Sequence, residues 1–268
     1  MRKGVRPLPS PTLQLAGSDP DLLLVFVKAP SPGAVKTRLL PAWSPADAAG
    51  LYQALVRDTL EAVRPLREVR VVVAYAPDAG FPDLGWVDGS WPLVPQEGRT
   101  LGERLTHGFA WAFRQGARRV AALGSDAPEL SGAWVRQAFR ELQHADVVVG
   151  PTRDGGYHLI GLSRPQPALF AGMPWSSPRL LARTLEQVAR LGLRLRTLPP
   201  IADLDTPDDV RRYLEKVSDT SQSGKSVRHF FARYLLSCGA SGRSRRGPPP
   251  AAGPAGHVRR RGRAVPAP

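Results

Sequence analysis

Leu22-Leu23-Leu24-Val25-Phe26-Val27, followed at once by Lys28-Ala29-Pro30-Ser31-Pro32-Gly33-Ala34-Val35-Lys36-Thr37-Arg38-Leu39, is the stretch on which the fold turns. Six consecutive apolar residues stopped by a basic, Pro- and Gly-containing loop read as a buried strand. Downstream, Ser44-Pro45-Ala46-Asp47 opens a helix, with Ser as N-cap, Pro in the first turn and an acid near the positive end of the helix dipole. The spacing then predicts a Val-rich strand over 69–76 and a helix from 101 to 115 opened by the capping box Thr100-Leu101-Gly102-Glu103. Strands are predicted over 119–123, 145–149 and 157–162, helices over 134–144 and 178–190. An edge strand is predicted over 193–198, and Thr206-Pro207-Asp208-Asp209 opens a last helix through about residue 216. Strands alternating with helices imply βαβ units and a mostly parallel sheet. In such a sheet, ligands bind beyond the carboxyl ends of the strands.

Outside this rhythm the chain changes character. Residues 1–20 are rich in Pro and Ser and read as a flexible extension; 21–218 form the folded domain; 219–268 read as a basic, Pro/Gly-rich, disordered tail, with room for one short helix over 227–236. The 268 residues carry 37 Lys+Arg against 23 Asp+Glu, a net charge of +14. Ten of the basic residues lie from Lys225 onward, and no acid follows Asp219. The body of the chain is therefore nearly neutral, which weakens a nucleic-acid reading of the overall charge. Cys238 is the only cysteine, so an intrachain disulfide or a Cys-based zinc site is excluded. The apolar run at 22–27 is far short of the roughly 20 residues of a membrane span. Prolines at 7, 9 and 11 stand where a signal peptide needs its apolar stretch, so a cytoplasmic location is expected.

The residues that follow the strands carry the chemistry. In the first loop, Lys28, Lys36 and Arg38 surround the flexible Gly33, a composition suited to phosphate groups, with a solvated basic loop as the plain alternative. The loop fits neither the dinucleotide fingerprint nor a Walker loop. Asp126 ends Gly124-Ser125-Asp126 after the third strand, where it suits a hard divalent cation or, alternatively, the cap of a turn. Asp203-Leu204-Asp205 places two acids on one side of an extended segment, while Asp208 and Asp209 belong to the helix start. Asp154-Gly155-Gly156-Tyr157 leaves room for a bulky ligand against the backbone, or forms an Asp-Gly hairpin turn.

Taken in order and spacing, residues 28–39, 96–104, 124–128, 154–162 and 203–210 resemble a largely uncharacterised bacterial family assigned as glycosyltransferases. That family is similar to the nucleotidyltransferases that make molybdopterin guanine dinucleotide and guanylate phospholactate. The resemblance covers roughly residues 21–216. It implies a three-layer α/β/α, Rossmann-like fold of the nucleotide-diphospho-sugar transferase (glycosyltransferase-A) type. It implies Lys28, Gly33, Lys36 and Arg38 on the phosphates of a nucleotide or nucleotide-sugar donor, and Gln96 reading the base. Asp126 and Asp205 would be the catalytic carboxylates that hold Mg²⁺ or Mn²⁺. Asp154, Gly155, Gly156 and Tyr157 would line the side of a small-molecule acceptor. Gly124 stands where sugar-transferring members of the fold place the first acid of Asp-x-Asp, which leaves both glycosyl and nucleotidyl transfer open. A third reading, from another class, is a nucleic-acid-associated protein that binds through the basic tail.

Overall fold

The computed structural model describes residues 21–40, 42–77, 86–87, 89–216 and 224–240, the side chains of the last four excepted. The extension at 1–20 and the chain beyond 240 lie outside these residues.

Seven strands form one sheet in the order β3-β2-β1-β4-β6-β5-β7. They are β1 (Asp21–Val27), β2 (Val69–Tyr75), β3 (Leu93–Pro95), β4 (Arg119–Leu123), β5 (Val147–Pro151), β6 (Tyr157–Leu162) and β7 (Leu195–Thr197). Strand β1 pairs in parallel with β2 and β4, β2 with β3, and β5 with β7. Only β6 is reversed, antiparallel to both β4 and β5. The reason is local. Residues 152–156 close a hairpin in which Thr152 N–H donates to Gly156 O at 3.0 Å, too short a connection for a parallel crossover.

The apolar run of β1 is continuous because both faces of the strand are covered. Leu23, Val25 and Val27 face a core shared with Tyr52, Val56 and Leu60 of α1 (Pro45–Val63) and with Val135 and Phe139 of α3 (Gly132–Glu141). Leu22 and Leu24 face a second core built with Leu105, Phe109 and Ala112 of α2 (Leu101–Arg114) and Val188 of α4 (Leu180–Arg190). The result is the expected three-layer α/β/α arrangement with a mostly parallel sheet. The predicted caps are present: Ser44 Oγ accepts from Asp47 N–H, and Thr100 and Glu103 form a reciprocal capping box.

Two elements depart from the sequence reading. Strand β3 was absent from it, because the three residues Leu93–Pro95 carry no periodic signal. The second departure is larger. Residues 225–240, expected within a disordered tail apart from one short helix, form the sixteen-residue α6 (Lys225–Ala240). Val227 and Phe231 of α6 are buried in a third apolar cluster with Leu39, Leu51 and Leu55, together with Val210 and Tyr213 of α5 (Pro207–Lys216). Trp43 stacks on Tyr234 with ring centroids 4.6 Å apart, and the Asp58 carboxylate of α1 accepts from Ser226 N–H (2.7 Å) and Val227 N–H (2.9 Å). A Val/Phe pair four residues apart on a helix presents one apolar face. That face is what draws the segment onto α1 and extends the folded body past 218.

Candidate active site

Backbone hydrogen bonds gather the strand ends. Ile201 N–H donates to Pro151 O at 3.2 Å, and Leu204 N–H donates to Asp126 O at 3.0 Å. These two bonds lay the 201–205 segment across the carboxyl edge of β5 and β4. Asp203 and Asp205 then flank Leu204, which is buried in the third cluster, and the alternation expected from Asp203-Leu204-Asp205 places both acids at the edge. Asp205 is followed by the start of α5. Thr206 Oγ1 accepts from Asp209 N–H, while one Asp209 oxygen accepts from Thr206 N–H (2.7 Å), Thr206 Oγ1 (2.7 Å) and Asp205 N–H (3.2 Å). Asp209 is thus spent on the helix start, as expected, and Asp205 is left facing the edge.

The central finding is the position of Lys36. Its ammonium lies 2.5 Å from Asp126 Oδ1 and 2.6 Å from Asp205 Oδ1, and its side chain is only 3% exposed. Burial pulls its pKa down, but Asp126 and Asp205 outweigh burial and hold it above the ordinary lysine value. Its backbone is left-handed, at φ 50° and ψ 39°, a conformation non-glycine residues adopt at a cost of roughly 1–3 kcal/mol. The sequence reading placed Lys36 on phosphate and the two acids on a metal; the structure brings all three together with the lysine between the acids. Arg38 is exposed, with one guanidinium nitrogen 3.6 Å from Asp205 Oδ2 and 4.0 Å from Asp154 Oδ2. Lys28 is exposed at the same edge, and its backbone N–H donates to Tyr52 Oη at 2.8 Å. Gly33 turns the loop at φ 81°.

A second acidic grouping adjoins the first. Asp154, Asp203 and Asp205 each offer a carboxylate oxygen within 4.8 Å of the others. Burial first, then Asp154 and Asp205, push the Asp203 carboxyl up to about 6. Asp203 was part of the alternation noted in the sequence but was not singled out as a site residue. Tyr52 was missed altogether: no strand-end pattern marks a helical tyrosine. Its hydroxyl is buried beneath the loop, and burial, followed by the charge of Asp126, raises it to about 12.

Three expectations need correction. Gln96 is 7% exposed, and its amide nitrogen donates to Ala74 O (2.7 Å) and Val27 O (3.3 Å), tying the ends of β1 and β2 together. That amide nitrogen is committed to the backbone and is not available to read a base. Gly155, at φ 87°, leaves no room for a ligand: a Cβ there would stand 2.1 Å from Pro178 O, so the glycine admits the chain itself. Tyr157 packs against the second core with its hydroxyl oxygen buried, rather than lining an acceptor side. Asp154 accepts from Thr152 Oγ1 (2.6 Å) and Gly156 N–H (3.1 Å), which fixes the hairpin and aims its carboxylate toward Asp203 and Asp205.

The donor set at this edge consists of carboxylate oxygens, the ligands that suit hard divalent ions such as Mg²⁺ and Mn²⁺. The ammonium of Lys36 already stands as a cation between two of them. The residues therefore fit a divalent ion.

A sheet of this strand order, with lysine, arginine and carboxylates converging at its carboxyl edge, is of the nucleotide-diphospho-sugar transferase fold. The chain is similar to a crystal structure described as a "putative nucleotide-diphospho-sugar transferase" from Desulfovibrio desulfuricans G20, at 33% identity, 81% coverage of this chain, 96% coverage of that chain and a TM-score of 0.74. The chain belongs to the family of that protein. Residues 59–177 match the family model described as "Uncharacterized protein conserved in bacteria (DUF2064)". More distant similarities include Rv0371c from Mycobacterium tuberculosis H37Rv, at 17% identity, 75% and 100% coverage of the two chains and a TM-score of 0.48. Another is glucosyl-3-phosphoglycerate synthase from Mycobacterium tuberculosis, at 13% identity, 82% and 80% coverage and a TM-score of 0.47. No curated protein matches the chain. Among the described residues, no helix is long and apolar enough to cross a membrane.

Proposed function

We propose that the protein is a metal-dependent transferase that uses a nucleotide-activated donor and moves a sugar from a nucleotide-sugar to a small-molecule acceptor. The observation that carries this reading is the meeting of Lys36, Asp126 and Asp205 at the carboxyl edge, with Arg38, Asp154 and Asp203 around them. The 33% identical Desulfovibrio protein, whose description names the same class of reaction, supports it.

Each residue has a role in this reading. Asp126 and Asp205 would hold Mg²⁺ or Mn²⁺, which when bound would neutralise the charge that builds on the departing diphosphate. Arg38, exposed beside Asp205, offers a forked donor to phosphate oxygens, and Lys28 adds a point charge at the mouth of the loop. Asp154 and Asp203 would face the acceptor. No side-chain nucleophile is required, since the acceptor itself attacks.

A second reading, nucleotidyl transfer to a phosphorylated acceptor, is favoured by Gly124, which leaves Asp126 as the lone acid where an Asp-x-Asp pair would supply two. The products separate the two: a nucleoside diphosphate in the first, pyrophosphate in the second. A third reading, nucleic-acid binding through the residues after 240, draws only on their charge. A chain ending at residue 240 would keep nucleotide binding under the first two readings and lose its main ligand under the third.

The test is a thermal-shift panel of nucleoside triphosphates and nucleotide-sugars, with and without Mn²⁺. A ligand at 100 times its dissociation constant stabilises by about 2.7 kcal/mol. Stabilisation by one nucleotide class that needs Mn²⁺ is the expected result; no response to any nucleotide would overturn the proposal.

A further inference from the structure

We propose that Lys36 is a built-in cation that holds the divalent-metal position in the free protein and must leave it before a metal can bind. The inference deepens the functional reading above and rests on it.

The geometry gives the reason. Lys36 Nζ lies within 2.6 Å of one oxygen of Asp126 and one of Asp205. A divalent ion takes carboxylate oxygens at roughly 2.0–2.6 Å. Two cations cannot share those same two oxygens at such distances: a double and a single positive charge would stand a few ångströms apart. Either the ammonium or the metal occupies the position. Held there, the ammonium keeps two facing carboxylates from repelling each other and fixes where they point.

The loop is built for release. Lys36 is in a left-handed conformation that its side chain does not favour, and Gly33, three residues earlier, supplies a second positive φ about which the loop can turn. Released, the ammonium needs an anionic partner, and the phosphates of a donor would supply one. Metal and phosphates therefore act together. Donor phosphates would take the lysine, and the freed oxygens of Asp126 and Asp205 would then be open to a divalent ion. In thermodynamic terms, each raises the affinity for the other.

The test uses Mn²⁺ alone, with the full chain and no nucleotide, and follows free Mn²⁺ by electron paramagnetic resonance. Lys36→Met should bind Mn²⁺ at least tenfold more tightly than the natural protein. It should also melt at a lower temperature without metal and gain more from added Mn²⁺. Lys36→Gln, which retains a hydrogen-bond donor to the acids, serves if the Met variant does not fold, and should show the same direction. Equal or weaker Mn²⁺ affinity in these variants overturns the proposal. The Asp205→Asn change separates this failure from that of the functional reading. If Mn²⁺ binds the natural protein and the lysine variants equally, and Asp205→Asn abolishes it, only the lysine's role falls. If Mn²⁺ binds none of them, or binds regardless of Asp205, the metal site itself falls and the lysine's role with it.

Discussion

The backbone carbonyl of Asp126 accepts a hydrogen bond from Leu204 N–H at 3.0 Å. One main-chain bond thus joins the end of β4 to the segment between β7 and α5, and it brings Asp126 and Asp205 together on the Lys36 ammonium. Two carboxylates set face to face would by themselves gain from the loss of one charge. The lysine reverses the sign of that expectation.

Asp205→Asn should therefore destabilise the metal-free protein, because a buried ammonium loses one of two charged partners. A hydrogen bond to a charged group contributes about 1.5–3 kcal/mol, and partial exposure of the carboxylate lowers the figure to about 1–2. Asp126→Asn should cost less, since the Asp126 side chain is 47% exposed against 30% for Asp205. Both changes should remove the Mn²⁺ dependence of nucleotide binding. Calorimetric melting of the metal-free variants, paired with nucleotide titrations with and without Mn²⁺, checks both parts.

Arg38→Ala should separate binding from stability. The side chain is 59% exposed and sits 3.6 Å from the nearer carboxylate, so it supports little of the core. Its removal should leave the melting temperature nearly unchanged while weakening nucleotide binding by about 1.5–3 kcal/mol. Nucleotide affinity equal to that of the natural protein would show that Arg38 does not touch phosphate.

A pH dependence follows from His158 of β6, whose ring nitrogens are both buried. Burial lowers its pKa from 6.5 to about 4. The unfolded chain therefore takes up a proton between pH 6.5 and 4 that the folded chain refuses. The stabilisation is complete above pH 6.5 and is lost as pH falls toward 4, by about 3 kcal/mol at most. In His158→Gln, unfolding free energies from denaturant titrations at pH 4.5 and 7 should lie closer together than in the natural protein; an unchanged difference would remove His158 as the cause.

Limited proteolysis should yield a core ending near residue 240 rather than near 218. Phe231→Ala, which empties a site in the third cluster, should cost about 3–5 kcal/mol. Mass spectrometry of the protease-resistant fragment and the melting curve of the variant supply the measurements. A stable core ending before α6 would mean that the helix contributes nothing.

What the sequence discloses depends on the range of the signal. Strand β1, the two helix caps and strand β6 were legible because each is specified by neighbours a few residues apart: an apolar run, a Ser or Thr three residues before its partner, an Asp-Gly turn. The loops that bear Lys36, Asp126 and Asp205 were legible as strand ends. That Lys36 sits between the two acids was not, since its contact with Asp205 spans 169 residues and leaves no local pattern. Gln96 and Gly155 were misread for the same reason. A glutamine that ties two strand ends, and a glycine that admits the backbone of Pro178, resemble ligand-facing residues until the partner segments are in place. The C-terminal helix misled through composition: ten basic residues and no acid after Asp219 hid the Val227/Phe231 face.

The third apolar cluster has a consequence for the order in which the protein is made. Leu39, one residue past Arg38, is fully buried in that cluster, which also holds residues of α1, α5 and α6. Chains emerge and fold from the N-terminus. The loop that carries Lys36 and Arg38 is thus synthesised well before Val227 and Phe231, which complete the cluster in which Leu39 is buried. Until they arrive, the cluster beneath the loop lacks part of its apolar surface. A chain cut short before α6 should therefore hold the Lys36–Arg38 loop less firmly, with every residue of the loop itself intact.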